Sequence, residues 1–439
     1  MNHDRMRGSG PRRNGAIAAM LSMVGCAVSA QTASPSGSTA SDPNPYYLGV
    51  SQALTYDTNV FRSPSGPSDL YSSTSLLGGF DQPIGRQRIF GNAIVTANRY
   101  RDQDQLDNES YNVYGGLDWQ TINDFSGNFN GGIGRSLAIA PFASGIVPTS
   151  SRNIGDTKNA SAVARWGGAA RLSIEGMIAY SDVEYSAPEY VTSNSSTNLA
   201  SLGLYYRPGG NVRLGLAGRF TETDSPQAVA VVGGGFQPNT VRGENIDFVV
   251  DYDLTGLLTT NARISYSKQK NSGLTNADYS GLTGIVSLLY RPTGKLTFNA
   301  TVAREPGFNS SIYSGVGITF IDPTTPVLTP VSGLYQNNQI TNSLTLNVGY
   351  LATAKVTANA SLRYAKARLV TTIQTASGSQ PAPDTIDILK AAQIGASWAV
   401  ARNWSLGCNL AYERRDVSGA TVYDYTATTV GCAGQYTWR

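Results

Sequence analysis

The chain has 439 residues, of which 41% are hydrophobic and only 14% are charged, whereas a typical soluble protein carries roughly a quarter charged residues. Residues 1–30 contain four arginines and one aspartate, so 29 of the 33 basic and 29 of the 30 acidic residues lie beyond them, and this balance gives no reason to expect a nucleic-acid partner. The only histidine, His3, lies in the same segment, which excludes histidine-dependent catalysis and histidine-ligated metal sites from the rest of the chain.

Residues 1–30 have the pattern of a secretory signal. A basic start precedes an apolar stretch at 16–28, and Val28-Ser29-Ala30 forms a small-residue cleavage site. A lipoprotein signal ending at Cys26 is the alternative, although the usual leucine three residues before the cysteine is missing. Residues 31–45 are rich in Ser, Pro, Thr and Ala, which predicts a disordered periplasmic lead-in.

From residue 46 onward, apolar and polar residues alternate along the chain. Between Leu199 and Phe220, positions such as Leu202 and Leu204 share one face, and Pro208-Gly209-Gly210 forms a tight turn. Each arm has about ten residues, the length that a tilted strand needs to cross a bilayer. The pattern predicts eighteen strands, with sixteen as the alternative, near 46–56, 69–81, 88–101, 109–120, 125–138, 157–167, 170–184, 195–207, 211–223, 242–254, 257–269, 278–291, 295–305, 338–351, 354–369, 384–399, 403–414 and 422–438.

Short turns and longer polar connections alternate between these strands. The turn at 290–296 repeats the Tyr-Arg-Pro-x-Gly pattern of the turn near 208, and looser copies recur along the chain. This asymmetry predicts an all-β, transmembrane, antiparallel up-and-down β-barrel over 46–439 in the bacterial outer membrane, in contact with its lipid and with both termini in the periplasm. The stretch 306–337 is ambiguous, because Ser311 to Ile321 is either an extra strand or part of a folded loop.

Aromatic residues support this orientation. An interfacial belt of tryptophans is expected at the membrane boundary. The final residues, 434–439, place aromatics on one face and resemble the C-terminal signal that outer-membrane insertion machinery reads, although Arg439 follows the last aromatic. The five tryptophans all fall beside predicted periplasmic turns or at the C-terminus, at Trp119, Trp166, Trp398, Trp404 and Trp438.

The face of each strand opposite the apolar one is expected to line the lumen. Its Asn, Ser and Thr residues can hydrogen-bond hydroxylated solutes, its tyrosines can stack on sugar rings, and its arginines can guide acidic sugars. The alternative is that these charges only cross-link neighbouring strands. No carboxylate pair, serine–histidine arrangement or phosphate-binding loop is present, so we expect neither an enzyme nor a metal or other cofactor. The lumen candidates are Tyr114, Arg171, Tyr205, Arg213, Arg219, Arg263 and Arg363.

Cys408 and Cys432 are the only cysteines beyond the signal. A hairpin folded about position 420 sets them opposite each other, within disulfide range for an antiparallel pair. Because the periplasm is oxidising, we expect a disulfide. Two free thiols on the lipid face are the alternative.

At the end of the first strand, the sequence reads Tyr56-Asp57-Thr58-Asn59-Val60-Phe61-Arg62. With the signal, the Tyr-Arg-Pro-x-Gly turns and the aromatic C-terminus, this motif resembles the EpsL-like outer-membrane barrels encoded with exopolysaccharide biosynthesis operons. The resemblance implies that the barrel is a conduit for a secreted polysaccharide and that a periplasmic polysaccharide export machinery is its partner. A general or solute-specific diffusion porin is the alternative function, which a constriction loop folded into the lumen, such as 306–337, would favour. The missing histidine argues against the familiar outer-membrane enzymes.

Overall fold

The computed structural model describes residues 45–122, 124–139, 152–168, 170–230, 236–254, 256–272, 278–322, 325–375, 378–381, 384–418 and 423–438. The predicted signal and all but the last residue of the predicted lead-in lie outside these ranges. Two short 3₁₀ turns, Asp104–Leu106 and Pro188–Ser193, are the helical segments of this part. No helix among the described residues has the length and hydropathy to cross a membrane.

The strands form one closed, antiparallel barrel of eighteen strands, which confirms the predicted fold. Each strand pairs with the next along the chain, and β1 closes the ring on β19. The short strand β16 is not part of the ring. It pairs only with the outer end of β15, whereas the rest of β15 pairs with β17, the next strand of the ring. The bounds are β1 Tyr46–Asp57, β2 Asp69–Ile84, β3 Gln87–Tyr100, β4 Asn108–Gln120, β5 Phe125–Leu137, β6 Ile154–Trp166, β7 Leu172–Tyr185, β8 Ser195–Gly209, β9 Val212–Ala230, β10 Phe236–Leu254, β11 Leu258–Asn271, β12 Tyr279–Tyr290, β13 Leu296–Asp322, β14 Thr325–Leu351, β15 Val356–Thr375, β16 Gly378–Pro381, β17 Thr385–Ala399, β18 Trp404–Ser418 and β19 Tyr425–Trp438.

The outside of the barrel is apolar and exposed. Leu202 is 65% exposed and Ile178 63%, and exposed residues of the same kind recur at every second position of the neighbouring strands. Large exposed apolar surfaces are unfavourable in water, but a closed barrel with an apolar exterior is stable in a bilayer, because every backbone group is paired within the ring. The protein is therefore an outer-membrane barrel, as predicted.

The connections define the orientation of the barrel. Short turns lie at one end, and glycines with positive φ allow three of them to turn tightly, at Gly85, Gly167 and Gly256. Short turns mark the periplasmic end of such barrels. Four of the predicted belt tryptophans are exposed near this end, at Trp166, Trp398, Trp404 and Trp438.

The ambiguous stretch 306–337 continues β13 and β14 as one long hairpin, whose backbone pairing reaches Asp322 and Thr325. It therefore adds no strand to the barrel and forms an extended hairpin rather than an irregular loop. The backbone of β13 contacts β9 and the 3₁₀ turn Pro188–Ser193, neither of which is its neighbour in the ring. The hairpin thus leans over the outer opening.

Cys408 and Cys432 stand opposite each other in the β18–β19 register. Their sulfur atoms are bonded, and the Cα atoms lie 4.1 Å apart. Both residues alternate in phase with exposed Leu406, Leu410 and Val430, which places the disulfide on the lipid face.

Candidate functional site: the lumen and its mouth

The lumen differs between its outer half, near the long loops, and its periplasmic half, near the short turns. Lumen-facing side chains of the periplasmic half, such as Arg88 and Asp118, are 40% and 48% exposed. In the outer half, lumen-facing side chains are covered around the ring. The buried ones include Thr55, Asp57, Ser75, Asn108, Ser265, Ser267, Asp387, Leu389, Arg415 and Thr429.

Residues 58–68, which we call the mouth loop, fold against the inner wall of the outer half. The loop carries most of the motif at 56–62 that the sequence singled out. The side-chain amide of Asn59 donates to the backbone carbonyl of Thr426 at 3.0 Å, and the backbone N–H of Thr58 donates to that of Thr428 at 3.0 Å. The loop is thereby attached to the start of β19.

Arg62 anchors this loop through buried charge pairs. Its two terminal nitrogens each donate to one carboxylate oxygen of Asp57 at 2.9 Å, and its Nε lies 3.5 Å from Glu413 on β18. Burial alone would lower the pKa of the Arg62 guanidinium. The negative charges of Asp57 and Glu413 more than offset this effect, so the pKa is raised and the group stays charged. Arg62 has a φ of 53°, a conformation rare for a residue with a side chain, and the bidentate contact with Asp57 holds it there.

The two residues before Arg62 form an apolar cluster inside the mouth. Val60 and Phe61 pack with Leu106 of the β3–β4 connection, and all three are buried. Tyr100, the last residue of β3, and Ile139, in the connection after β5, pack around them. Loops from three hairpins are thus joined by one small apolar core.

A second segment crosses the mouth: the 3₁₀ turn Pro188–Ser193, which we call the bridging turn. The Tyr190 hydroxyl donates to the carbonyl of Ile139 at 3.1 Å, and Asn153 accepts from the N–H of Ala187 at 3.1 Å. Burial raises the pKa of Tyr190 to about 12, and the positive charge of Arg415 partly opposes this shift. Arg415 belongs to β18, on the wall of the ring opposite β8, which we call the far wall. Backbone contacts of the bridging turn itself extend to β9 and to β13.

The far wall presents its own paired charges. Nε and Nη2 of Arg415 donate to the two carboxylate oxygens of Asp387 at 3.0 and 2.7 Å, and both side chains are almost fully buried. The Tyr425 hydroxyl donates to Glu413 at 2.6 Å, beside Arg62. Charges in the outer half are therefore held in fixed pairs, as burial requires.

The periplasmic half contains a charge network on β6 to β10. The Nε atom of Arg165 donates to Glu175 at 2.7 Å. Arg213 donates to Glu175 at 2.8 Å and to Asp251 at 3.2 Å. The Arg165–Glu175 and Arg213–Asp251 contacts join neighbouring strands, as the alternative explanation of the lumen charges expects, whereas Arg213 reaches Glu175 across β8.

Tyr205 lies flat against this network. The guanidinium carbon of Arg213 is 3.7 Å from the centre of its ring. A Cβ at Gly215 would come within 2.3 Å of the ring, so glycine is required there for the ring to lie along the wall. The ring is part of the wall and has one face covered by a cation.

At mid-height the pairing is less complete. Arg219 donates to both oxygens of Asp247, at 2.8 and 3.2 Å. Arg263 reaches a carboxylate only at 3.9 Å, from Glu305. Among the described residues, its Nε atom and the hydroxyl of neighbouring Ser265 are buried without a hydrogen-bond partner. This part of the wall retains unused donors.

The remaining predicted lumen residues are spread around the ring. Arg171 is exposed in the periplasmic turn before β7. The Tyr114 hydroxyl donates to Asn130 at 3.1 Å. Arg363 follows the lumen-facing alternation of β15, in antiphase with exposed Leu362 and Tyr364. The predicted residues therefore do not converge on one point, and their roles in guiding a solute stay predictions.

Three arginines with carboxylate partners, two at the mouth and one in the periplasmic half, are not among the lumen residues that the sequence predicts. Arg62 was noticed only as part of a motif, and Arg165 and Arg415 were not singled out, although strand alternation puts both on the lumen face. Glu175, the partner of Arg165, is 10 residues away, and Asp387, the partner of Arg415, is 28 residues away. Each partner lies on the adjacent strand, so the strand register brings the charges together. Within the described part of the chain, no group of three or more His, Cys, Asp or Glu side chains could hold a metal ion.

No family model matches the sequence, and no curated protein matches it. The chain is similar in structure to the outer membrane protein OpdK from Pseudomonas aeruginosa, with 14% identity, a TM-score of 0.42 and coverage of 90% of this chain and 99% of that one. It is also similar to a mutant form of the ferric enterobactin receptor PfeA from Pseudomonas aeruginosa, with 11% identity, a TM-score of 0.39 and coverage of 89% and 80%. Similarity at this level identifies neither a family nor a ligand.

Proposed function

We propose that the protein is a porin: a channel through which small polar solutes diffuse across the outer membrane. The observation that carries the proposal is the packing of the outer half. The mouth loop is bound to β18 and β19, and the bridging turn contacts the β5–β6 connection and β13 of the long hairpin. Such a mouth restricts the size of what passes, which suits small solutes better than a polymer chain.

The charge distribution of the lumen also supports a channel for small solutes. Most arginines of its wall are paired with carboxylates, so they offer few sites at which a solute would be held tightly. Among the arginines Arg165, Arg213, Arg219 and Arg263, which all contact a carboxylate, Arg263 has the longest contact, 3.9 Å from Glu305. It is therefore our candidate for the residue that sets ion preference.

Conductance measurements test the proposal. Purified protein in a planar bilayer should give discrete current steps, and liposomes containing it should swell in small sugars but not in oligosaccharides. Replacing residues 59–66 by a short Gly-Ser link should raise both the conductance and the size limit. Absence of conductance and swelling in both proteins would contradict a porin.

Ion selectivity tests the part given to Arg263. The Arg263→Gln variant should lower the ratio of anion to cation permeability, because it removes an incompletely compensated positive charge. Arg263→Lys is the matched control, since it keeps the charge and should keep the ratio. If the two variants behave alike, the charge at this position does not set selectivity.

An exopolysaccharide is the second candidate cargo. Its support is the resemblance of segment 56–62 to the EpsL-like barrels, and the same segment forms the mouth loop. Export of a polymer by this route, with a periplasmic export machinery as partner, requires the mouth loop to leave the lumen. Gene deletion with complementation separates the two functions: polysaccharide retained in the periplasm indicates the conduit, whereas normal secretion with slower uptake of small solutes indicates the porin.

A further inference from the structure

A row of polar side chains crosses the lipid face at the outer edge of the apolar band. Arg304 on β13 is paired in register with Asn342 on β14, which is paired with Lys366 on β15. We call these three residues the basic row. Each side chain has the lipid-facing phase of its strand. Each also lies nearer the outer end of that strand than the exposed apolar residues Val302, Leu344 and Tyr364.

No carboxylate of the described residues forms an ion pair with either cation of the basic row. Arg304 donates to the Leu282 carbonyl at 3.1 Å and to the Asn342 side-chain oxygen at 3.0 Å, both uncharged acceptors. Neither Arg304 nor Lys366 has an ion pair with another described residue. Nearby carboxylates are engaged elsewhere: Asp384 contacts Arg368, and Asp416 lies between Lys390 and Arg414 at 2.9 and 2.7 Å.

An apolar groove lies directly beside this row, toward the membrane centre. Ala392 is paired with Leu362 on one side and Tyr412 on the other, so its small side chain leaves a hollow between larger neighbours. The groove has a volume of about 310 Å³, and Lys390 lies at its border. Its lipid-facing walls are formed by Leu344, Leu346, Leu362, Tyr364, Ala392 and Tyr412.

We propose that the basic row and this groove form a binding site for a phosphorylated lipid of the outer leaflet. The phosphate would contact Arg304, Lys366 and the free amide group of Asn342, and one acyl chain would lie in the groove. Charge complementarity identifies this occupant, because uncompensated cations at the edge of an apolar band match an anionic headgroup joined to hydrocarbon chains. A second copy of this chain would cover the groove but would leave the two cations unpaired.

Native mass spectrometry of the full barrel in detergent tests the site, with diphosphorylated lipid A as the probe. Each cation near an anionic headgroup contributes roughly fivefold to binding, so Arg304→Gln with Lys366→Gln should weaken lipid A binding by about twenty-five-fold. Ala392→Phe fills the groove and should weaken lipid A binding while leaving the cations in place. Heat-modifiable migration on gels verifies that each variant is folded.

Matched controls distinguish the occupants. The double variant Arg135→Gln with Lys158→Gln removes two cations from the same outer edge, but these are paired with Asp156 and Asp182, and it should bind lipid A as the parent does. Dephosphorylated lipid should bind the basic-row variant and the parent equally weakly. Equal lipid A binding by the basic-row variant and the parent would overturn the proposal. So would inorganic phosphate competing as strongly as lipid A, or a groove variant that only changes the oligomeric state.

Discussion

The outer and periplasmic halves of the lumen are built from the same strands, but their ion pairs differ in exposure to water. In the outer half, Arg62 and Asp57 are 11% and 7% exposed and form a bidentate pair. In the periplasmic half, Arg88 and Asp81 form a pair of similar geometry but are 40% and 52% exposed. The difference shows how loops change the role of an ion pair. Where a loop excludes water, the buried pair holds the loop inside the pore. Where no loop covers the pair, it stays exposed on the pore wall.

The largest difference should appear when one partner of each pair is removed. Arg62→Gln leaves Asp57 and Glu413 buried without their cation, which should cost about 3–5 kcal/mol and release the mouth loop. Arg88→Gln removes an exposed partner and should cost about 1 kcal/mol or less. Single-channel recordings should therefore show larger and noisier currents for Arg62→Gln only. Equal effects of the two variants would contradict the contrast between the halves.

The apolar cluster of the mouth offers a second comparison. Phe61 is buried against Leu106, so Phe61→Ala should destabilise the closed mouth by about 3 kcal/mol. Phe129→Ala, on the exposed lipid face, serves as the control and should leave conductance unchanged. Proteolysis at the outer surface provides a second readout, because a released mouth loop becomes accessible to protease.

The disulfide should stabilise the whole ring rather than either half. Cys408→Ser with Cys432→Ser removes the bond between β18 and β19, which should lower the free energy of unfolding by about 3 kcal/mol in the chain-entropy model. The midpoint of unfolding in denaturant should fall accordingly, whereas conductance should stay as in the parent. A changed conductance would mean that the bond also positions the mouth.

The smallest effect concerns Tyr190. Because burial raises its pKa to about 12, the neutral phenol favours the folded bridging turn. This contribution is complete below the ordinary pKa of 10.0 and is lost as the pH rises to about 12. Conductance should therefore increase over this interval in the parent. Tyr190→Phe lacks the titrating group and should show no such rise between the same pH values.

The strands predicted from the sequence agree closely with the observed ones, but several of them are too short at the outer end. The sequence predicts that β9 ends at 223 and β13 at 305, but these strands end at Ala230 and Asp322. It predicts that β14 begins at 338, but β14 begins at Thr325. Outside the bilayer a strand needs no apolar face, so the alternation that revealed it disappears although the backbone pairing continues. The sequence predicts 306–337 as the candidate constriction, but residues 58–68 and 188–193 also lie at the mouth, and these short segments carry no periodic signal.

The sequence by itself determined the barrel, its number of strands and the two faces of each strand, because alternation is a local property that burial in lipid imposes on every strand. It also set Cys408 opposite Cys432, since a hairpin pairs residues equidistant from its tip. Only the tertiary structure decided what fills the lumen. Arg62 meets Glu413, and the bridging turn meets β13, only after the ring has closed, because these partners lie far apart in sequence and no local pattern encodes their distance.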